Sequence, residues 1–217
     1  MKKLLRGIAE FRRTRRAEYA ATFAQLALGQ QPDALMIACS DSRVAPNVFA
    51  STEPGDVFVV RNVGNLVPPF ASADVRAAHS VPAAIEFALA ALPIRDVVVC
   101  GHSECGAMRA IHDDVLPPDA PHLDAWLAHG REVREGLGPP PPGLASHNHL
   151  SQRSALRQLD HLRTYPAVRA AEAAGRLRLR AWWFDIAGAE VLDYEPSLDR
   201  FVPLDEARVE RLLAERR

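Results

Sequence analysis

The chain has 217 residues, of which 48% are hydrophobic and 24% are charged, and its formal net charge at pH 7 is −1. This length allows a substantial hydrophobic core, and the near-neutral charge gives no reason to expect non-specific binding to nucleic acid. No apolar run approaches the ~20 residues that a membrane-spanning helix requires. We therefore expect a soluble protein that binds neither nucleic acid nor a membrane.

The amino-terminal segment MKKLLRGIAEFRRTRRAEY is basic, with two lysines and five arginines against two acids. It lacks the apolar core and the small-residue cleavage site of a secretory signal. Leu4, Leu5, Ile8 and Phe11 recur at helical spacing, so we interpret residues 1–28 as an amphipathic helical arm with a solvated basic face. Contact of this arm with nucleic acid or with a membrane is the alternative interpretation.

Apolar runs rich in Val, Ile and Leu predict four strands, at residues 34–38, 57–60, 97–100 and 177–184. The first three runs are nearly uninterrupted, which is typical of strands buried on both faces of a parallel sheet. Residues 79–96 predict a helix of about three turns, with Ser80 as its N-cap and Pro93 as its stop. This order predicts an α/β fold in which helices flank a central, mainly parallel β-sheet.

Three later segments, at residues 122–137, 151–175 and 204–216, also predict helices. Residues 136–149 contain four successive prolines, which remove the backbone donors of helices and inner strands, so we predict a surface loop there. In residues 177–194, apolar and polar residues alternate at first, and the chain can turn near Gly188. This pattern indicates a late strand pair at the sheet edge. We therefore expect one domain, with a carboxyl-terminal helix at 195–217.

The chain contains three cysteines, Cys39, Cys100 and Cys105, an odd number that does not suit a disulfide framework. Without an export signal the expected location is the cytoplasm, where reduced thiols more often serve as metal ligands or catalysts. Cys100 belongs to the third predicted strand, and we interpret it as a small buried hydrophobic residue.

Two of the cysteines and one histidine directly follow predicted strands. Cys39 follows the run LMIA, and His102 and Cys105 follow the run VVVC. In open α/β sheets, sites form at the carboxyl ends of neighbouring strands, so we expect these side chains to meet. Two sulfurs and one nitrogen suit Zn²⁺, and three protein ligands leave one coordination position open for water. For His-x2-Cys alone, chance spacing of buried structural residues is the alternative.

Asp41 and Arg43 lie just beyond Cys39 and favour a catalytic role for the site. Arg43 can hold the carboxylate in a bidentate contact, which favours the ionised form and keeps Asp41 a hydrogen-bond acceptor. Such an acceptor can accept a hydrogen bond from the single O–H of a zinc-bound hydroxide and so direct the oxygen lone pair at a substrate. Alone, the sequence DSR is more typical of a surface turn with a weak ion pair.

Other kinds of cysteine chemistry do not fit the spacing. A phosphatase-type loop needs a longer separation between Cys and Arg than the three residues between Cys39 and Arg43. A structural zinc ribbon needs paired C-x2-C motifs, which the chain lacks. We expect the remaining histidines to be surface residues or local hydrogen bonders, with His112 and His147 as candidate proton relays.

The motif CSDSR, followed later by GHSECG, resembles the β-class carbonic anhydrases. The segments EPGDVFVVRNVGNLVPP, LDHLRTYPAV and AWWFDIAGAEV are also similar to that family. The resemblance extends from Gln30 to Tyr194, so it implies a catalytic core at residues 30–194, and it is far more specific than either short motif alone. It implies a mainly parallel α/β sheet, assembled as a homodimer or a multiple of dimers, with the amino-terminal helices lying on the partner subunit and the site near the dimer interface.

The resemblance also implies roles for individual residues. It assigns one Zn²⁺ per chain to Cys39, His102 and Cys105, and it pairs Asp41 with Arg43 as a catalytic dyad. The implied substrate-binding residues are Gln30 as a hydrogen-bond donor, Phe58, Val63 and Phe87 as apolar pocket residues, and Gly106 through its backbone N–H. Phe87 replaces a tyrosine of the family, so the pocket loses a hydroxyl group and stays apolar.

One subgroup of the family carries a regulatory bicarbonate site made of a Trp, an Arg and a Tyr. The corresponding positions here hold Met36, Arg61 and Phe184, so only the arginine is present. We therefore expect the chain to resemble the plant-like subgroup and to lack regulation by bicarbonate.

The expected activity is the reversible hydration of carbon dioxide to bicarbonate and a proton by a zinc-bound hydroxide. Two thiolates donate more negative charge to zinc than imidazoles do, so we expect activity to rise through mildly alkaline pH. If the contact between Asp41 and Arg43 breaks, Asp41 becomes a candidate fourth zinc ligand in a closed state. The alternatives are a carbonyl sulfide or carbon disulfide hydrolase on the same scaffold, and a noncatalytic zinc protein.

Overall fold

A computed structural model describes residues 1–70 and 80–214 of the chain. In this part of the chain, six strands form one sheet in the order β2-β1-β3-β4-β5-β6. The strands are β1 (Ala34–Cys39), β2 (Val57–Asn62), β3 (Asp96–His102), β4 (Arg178–Asp185), β5 (Glu190–Glu195) and β6 (Arg200–Pro203). The first four strands are parallel, and β5 and β6 add to β4 as antiparallel strands at one edge. The predicted α/β class with a mainly parallel sheet is confirmed.

Helices flank the sheet and form an arm at the amino terminus. The helices are α1 (Lys2–Glu10), α2 (Arg16–Leu26), α3 (Pro46–Phe49), α4 (Ser80–Ala91), α5 (Gly106–Asp113), α6 (Pro121–Glu135), α7 (Ser146–Arg163), α8 (Pro166–Ala173) and α9 (Glu206–Ala214). A π-helical turn, Phe11–Arg15, joins α1 to α2, so the predicted helical arm is confirmed. None of the helices within the described ranges combines the length and the hydrophobicity needed to span a bilayer.

The central strands are buried on both faces, as their uninterrupted apolar runs predicted. One face carries Leu35 and Ile37 of β1, which pack in a hydrophobic core with residues of α4 and α7. The other face carries Met36 and Ala38 of β1 together with Cys100 of β3. Cys100 has no exposed surface, and burial raises the pKa of its thiol to about 12, in agreement with its interpretation as a buried hydrophobic residue.

The connection order of the strands determines where a site can form. From β1 the chain passes to β2 on one side of β1 and then to β3 on its other side. The carboxyl ends of β1 and β3 therefore flank a point where the strand order reverses, which is where open α/β sheets bind their ligands.

Several predicted boundaries were wrong. The surface loop predicted for residues 136–149 ends earlier, because residues 146–149 form the first turn of α7. The helix predicted at 151–175 is interrupted before Pro166, which begins α8 and cannot donate the hydrogen bond that would continue α7. The segment 195–217 holds β6 as well as α9, and α5 was not predicted. The N-cap role predicted for Ser80 depends on a chain segment outside the described residues.

Candidate metal centre

Two adjacent strands bring the three predicted ligands together at their carboxyl ends. Cys39 is the last residue of β1, His102 is the last residue of β3, and Cys105 directly precedes α5. One ligand atom from each of these buried side chains lies within 4.8 Å of the other two. Tetrahedral zinc, with Zn–S bonds of about 2.3 Å and Zn–N bonds of about 2.0 Å, places its ligand atoms about 3.5–3.8 Å apart. A small contraction of the group would therefore accommodate the ion.

His102 presents one ring nitrogen to this group and uses the other to fix its orientation. Its Nδ1 lies 2.8 Å from the carbonyl oxygen of Ser103, which can only accept a hydrogen bond, so Nδ1 carries the proton. Its Nε2 is buried and has no hydrogen-bond partner in the described part of the chain. A buried polar atom without a partner costs roughly 1–3 kcal/mol, and a metal ion at Nε2 would remove that cost.

The two thiols are also arranged as a metal would require. A hydrogen bond from Cys105 lowers the pKa of Cys39 to about 4, and the same hydrogen bond raises the pKa of Cys105. The backbone N–H of Gly64 also points at the sulfur of Cys39, at a distance of 3.4 Å. The shared hydrogen bond thus favours the thiolate form at Cys39, and the thiolate is the form of cysteine that binds metals.

The carboxylate of Asp41 is held by Arg43 in a bidentate contact. Arg43 Nε donates to Oδ1 at 2.9 Å and Nη2 donates to Oδ2 at 2.7 Å, while the backbone N–H of Arg43 also donates to Oδ1. These hydrogen bonds lower the pKa of Asp41, so the group is ionised at neutral pH. In this conformation both carboxylate oxygens of Asp41 are engaged by Arg43.

Arg61 of β2 fixes the loop that carries these groups, a role that the sequence did not indicate. Its guanidinium donates to the carbonyl oxygen of Cys39 at 2.8 Å and to that of Asp41 at 2.8 Å. It also donates to the carbonyl oxygen of Val44 at 2.6 Å. One side chain thus holds three backbone groups of the loop after β1.

Two of the predicted substrate-binding residues lie beside the metal group. Val63 precedes Gly64 and is 43% exposed, and its carbonyl oxygen accepts a hydrogen bond from Trp126 at 2.7 Å. Gly106 is the first residue of α5 and follows Cys105 directly. Its backbone N–H belongs to a helix amino terminus, which is a favourable place for an anion.

The other three predicted substrate-binding residues lie elsewhere in the same chain. Phe58 pairs with Leu35, four residues before Cys39 on β1, which corresponds to about 13 Å along the strand. Phe87 of α4 contacts Phe58 with ring centroids 5.9 Å apart. Gln30 is exposed and precedes the amino end of β1. A role for the two phenylalanines at a metal group therefore requires a second copy of the chain.

Comparison with known proteins identifies the family to which the chain belongs. The family model for carbonic anhydrase matches residues 34–191. The carbonic anhydrase of Pseudomonas aeruginosa is 37% identical over 95% of this chain and 93% of its own length. The structure of the β-carbonic anhydrase CcaA superposes with a TM-score of 0.85, at 36% identity over 95% of this chain and 92% of that one. The chain belongs to the β-class carbonic anhydrases.

Membership of this family makes the chain an enzyme that hydrates carbon dioxide. A further β-carbonic anhydrase structure, described as tetrameric and from Sordaria macrospora, superposes with a TM-score of 0.74 at 28% identity. It covers 88% of this chain and 95% of that one. The fold of this carbonic anhydrase is thus shared by relatives in which several copies assemble.

Sequence reasoning missed the residues that support the metal group through their backbone contacts. Arg61, Gly64 and Ser103 contact the ligand loops, and Glu104 and Asn148 contact each other beside them. In the sequence, only their closeness to other residues could have indicated this role. Most of them lie within a few residues of a candidate ligand or of the residue that pairs with it in the sheet.

Proposed function

We propose that Cys39, His102 and Cys105 hold one Zn²⁺ per chain and that this site interconverts carbon dioxide with bicarbonate and a proton. The observation that carries the proposal is the meeting of two buried thiols with an imidazole nitrogen that has no partner among the described residues. Such a set of three ligands leaves one coordination position for water.

The chemistry combines the metal with the adjacent dyad. A zinc ion held there supplies a Lewis acid that makes water acidic enough to attack carbon dioxide near neutral pH. Asp41 is kept ionised by Arg43, so it accepts a hydrogen bond from the attacking water and orients it. The N–H of Gly106, at the amino terminus of α5, is placed to stabilise the bicarbonate anion that forms.

Carbon dioxide is small and apolar, so the substrate pocket should be lined by apolar side chains. Val63 provides such a surface from the same chain. Phe58, Phe87 and Gln30 complete the pocket from a second copy, since the sheet register separates Phe58 from its own metal group. The active unit is therefore a homodimer or a multiple of dimers.

The position of Arg61 supports the proposed absence of bicarbonate regulation. Its guanidinium is occupied by three backbone carbonyl groups of the loop after β1. Met36 and Phe184 are buried in one cluster and offer no side-chain hydrogen-bond donor to an anion. We therefore assign the chain to the plant-like subgroup, and we propose a cytoplasmic location because its three cysteines are all free.

Stopped-flow hydration of carbon dioxide by protein of known zinc content tests the proposed function. We expect turnover that is proportional to zinc content and that rises between roughly pH 6.5 and 9, since two thiolates make the metal a weaker acid. Hyperbolic kinetics at high bicarbonate are expected as well. A zinc-loaded protein without turnover, or one with a higher rate on carbonyl sulfide or carbon disulfide, would refute the proposal.

A further inference from the structure

The residue between the two ligands of the second loop has an unusual backbone conformation. Glu104 lies between His102 and Cys105 and has a positive φ of 56°. A residue with a Cβ atom adopts this left-handed conformation only at an energetic cost, so contacts of the folded chain must hold it there. The turn it produces sets the direction in which the loop presents Cys105.

Asn148, in the first turn of α7, supplies the main contacts. Its Oδ1 accepts the backbone N–H of Glu104 at 2.7 Å, and its Nδ2 donates to Oε1 of the same residue at 3.0 Å. Asn148 is 9% exposed, so this exchange takes place largely out of water. A carboxamide rotated by 180° would place its NH2 group against the N–H of Glu104 and its oxygen against Oε1. Glu104 alone therefore fixes the orientation of the Asn148 side chain.

The remaining polar groups of Glu104 are also occupied, each from a different element. Its carbonyl oxygen accepts from Nη2 of Arg43 at 3.0 Å, which joins this loop to the Asp41–Arg43 dyad. Nε2 of His147 lies 3.0 Å from Oε1, and the guanidinium of Arg109 pairs with Oε2. Glu104 therefore connects α5, α7 and the loop after β1.

We propose that Glu104 and Asn148 are positioning residues for the metal site. They fix the backbone between His102 and Cys105 so that both side chains reach one ion, and the carbonyl group of Glu104 keeps Arg43 oriented toward Asp41. This inference rests on the proposed zinc site. It extends that site to residues that touch neither the ion nor the substrate.

The inference can be tested on full-length chains by zinc competition with a chromogenic chelator. We expect Asn148→Ala to bind zinc roughly 10–100-fold more weakly than the wild type, the usual effect of losing a contact to a ligand shell. Gln152→Ala, on the same helix, is the matched control and should bind like the wild type. Cobalt-substituted Asn148→Ala should also show altered visible absorption bands, because these bands report ligand geometry.

A second pair of variants separates positioning from folding. Glu104→Ala loses the side-chain contacts and keeps the strained backbone, whereas Glu104→Gly loses the contacts but adopts a positive φ without cost. We expect Glu104→Ala to bind zinc more weakly than Glu104→Gly, with thermal unfolding of the metal-free proteins as the check on folding. If Asn148→Ala does not fold, the two Glu104 variants still test whether this loop positions the zinc ligands.

The outcomes distinguish this inference from the proposed function. A wild-type chain that binds no zinc overturns both. A wild type that binds zinc, beside Asn148 and Glu104 variants with the same affinity and the same cobalt spectrum, overturns the positioning role alone.

Discussion

At the scale of single residues, the contact with Arg43 determines the role of Asp41 at the site. The carboxylate accepts three hydrogen bonds from Arg43, two of them from the guanidinium. While these contacts last, both oxygens are engaged and Asp41 remains an acceptor beside the metal group. If they break, we expect Asp41 to become the fourth zinc ligand and to exclude water from that position.

We expect Asp41→Asn to lower kcat/KM for carbon dioxide hydration by roughly 10²-fold or more, which is the usual effect of removing a side chain that accepts a proton or a hydrogen bond from the reacting group. The amide preserves the shape of the carboxylate but can donate a hydrogen bond, so it no longer selects one orientation of the attacking water. Zinc content should be unchanged. Asp160→Asn, at an exposed acid of α7, is the control. Equal rates for wild type and Asp41→Asn would remove the dyad from the mechanism.

At the scale of elements, α6 and α7 are joined by an ion-pair network around Glu132. Arg157 donates to Oε1 at 2.7 Å and to Oε2 at 2.8 Å, and Nε2 of His161 lies 2.6 Å from Oε1. Arg157 is the main cause, and His161 a further one, of the lowered pKa of Glu132, which is about 2. The network holds α7, whose first turn carries Asn148, against α6.

This network predicts a specific dependence of stability on pH. The folded pKa of Glu132 is depressed below the unfolded value of about 4.3, so its contribution is present above that value and is lost as pH falls toward about 2. Urea unfolding should show Glu132→Gln to be less stable than the wild type at pH 7, with a difference that shrinks below about pH 4. Glu135→Gln, on the same helix, should show neither effect. A constant difference across this range would contradict the network.

The elements that could be predicted from the sequence are those with a recognisable local pattern of apolar residues. The strands β1 and β3 are nearly uninterrupted apolar runs, so their burial in a parallel sheet followed directly. The run of β2 predicted the same burial, which is wrong because β2 lies at the edge of the sheet and is only partly buried. In contrast, α5 begins at a glycine and directly follows the candidate metal ligand Cys105, and the sequence predicted no helix there. Short β6 owes its existence to pairing with β5, which no local pattern reveals.

The same distinction applies to the site. Cys39, His102 and Cys105 could be identified because their side chains suit a metal and because they directly follow two predicted strands. Arg61 and Asn148 could not, because their importance comes from backbone groups that only the fold brings near them. Likewise, the distance between Phe58 and its own metal group follows from sheet register, not from residue type.

At the scale of the whole molecule, the amino-terminal arm has an apolar face that the single chain leaves uncovered. Leu4, Leu5 and Ile8 are 70%, 58% and 59% exposed. Burial of such side chains is worth roughly 1.5–3 kcal/mol each, so they favour association with a second copy. In the homodimer proposed above, a second copy also supplies Phe58 and Phe87 to the metal group.

We expect the double variant Leu5→Glu/Ile8→Glu to sediment as a smaller species than the wild type in analytical ultracentrifugation. Its kcat/KM should fall as well, since the pocket loses residues from the second copy. Lys2→Glu/Arg6→Glu changes charge on the opposite face of α1 and should keep the wild-type assembly. If both double variants assemble like the wild type, the arm is not part of the subunit contact.

The central claim is that two loops, at the ends of β1 and β3, share one zinc ion with an open position. X-ray absorption at the zinc edge of the purified wild-type protein tests it most directly. We expect one zinc per chain with two sulfur ligands at about 2.3 Å, one nitrogen at about 2.0 Å and one light atom supplied by solvent. Metal-free protein, or zinc bound to fewer than two sulfurs, would contradict the account.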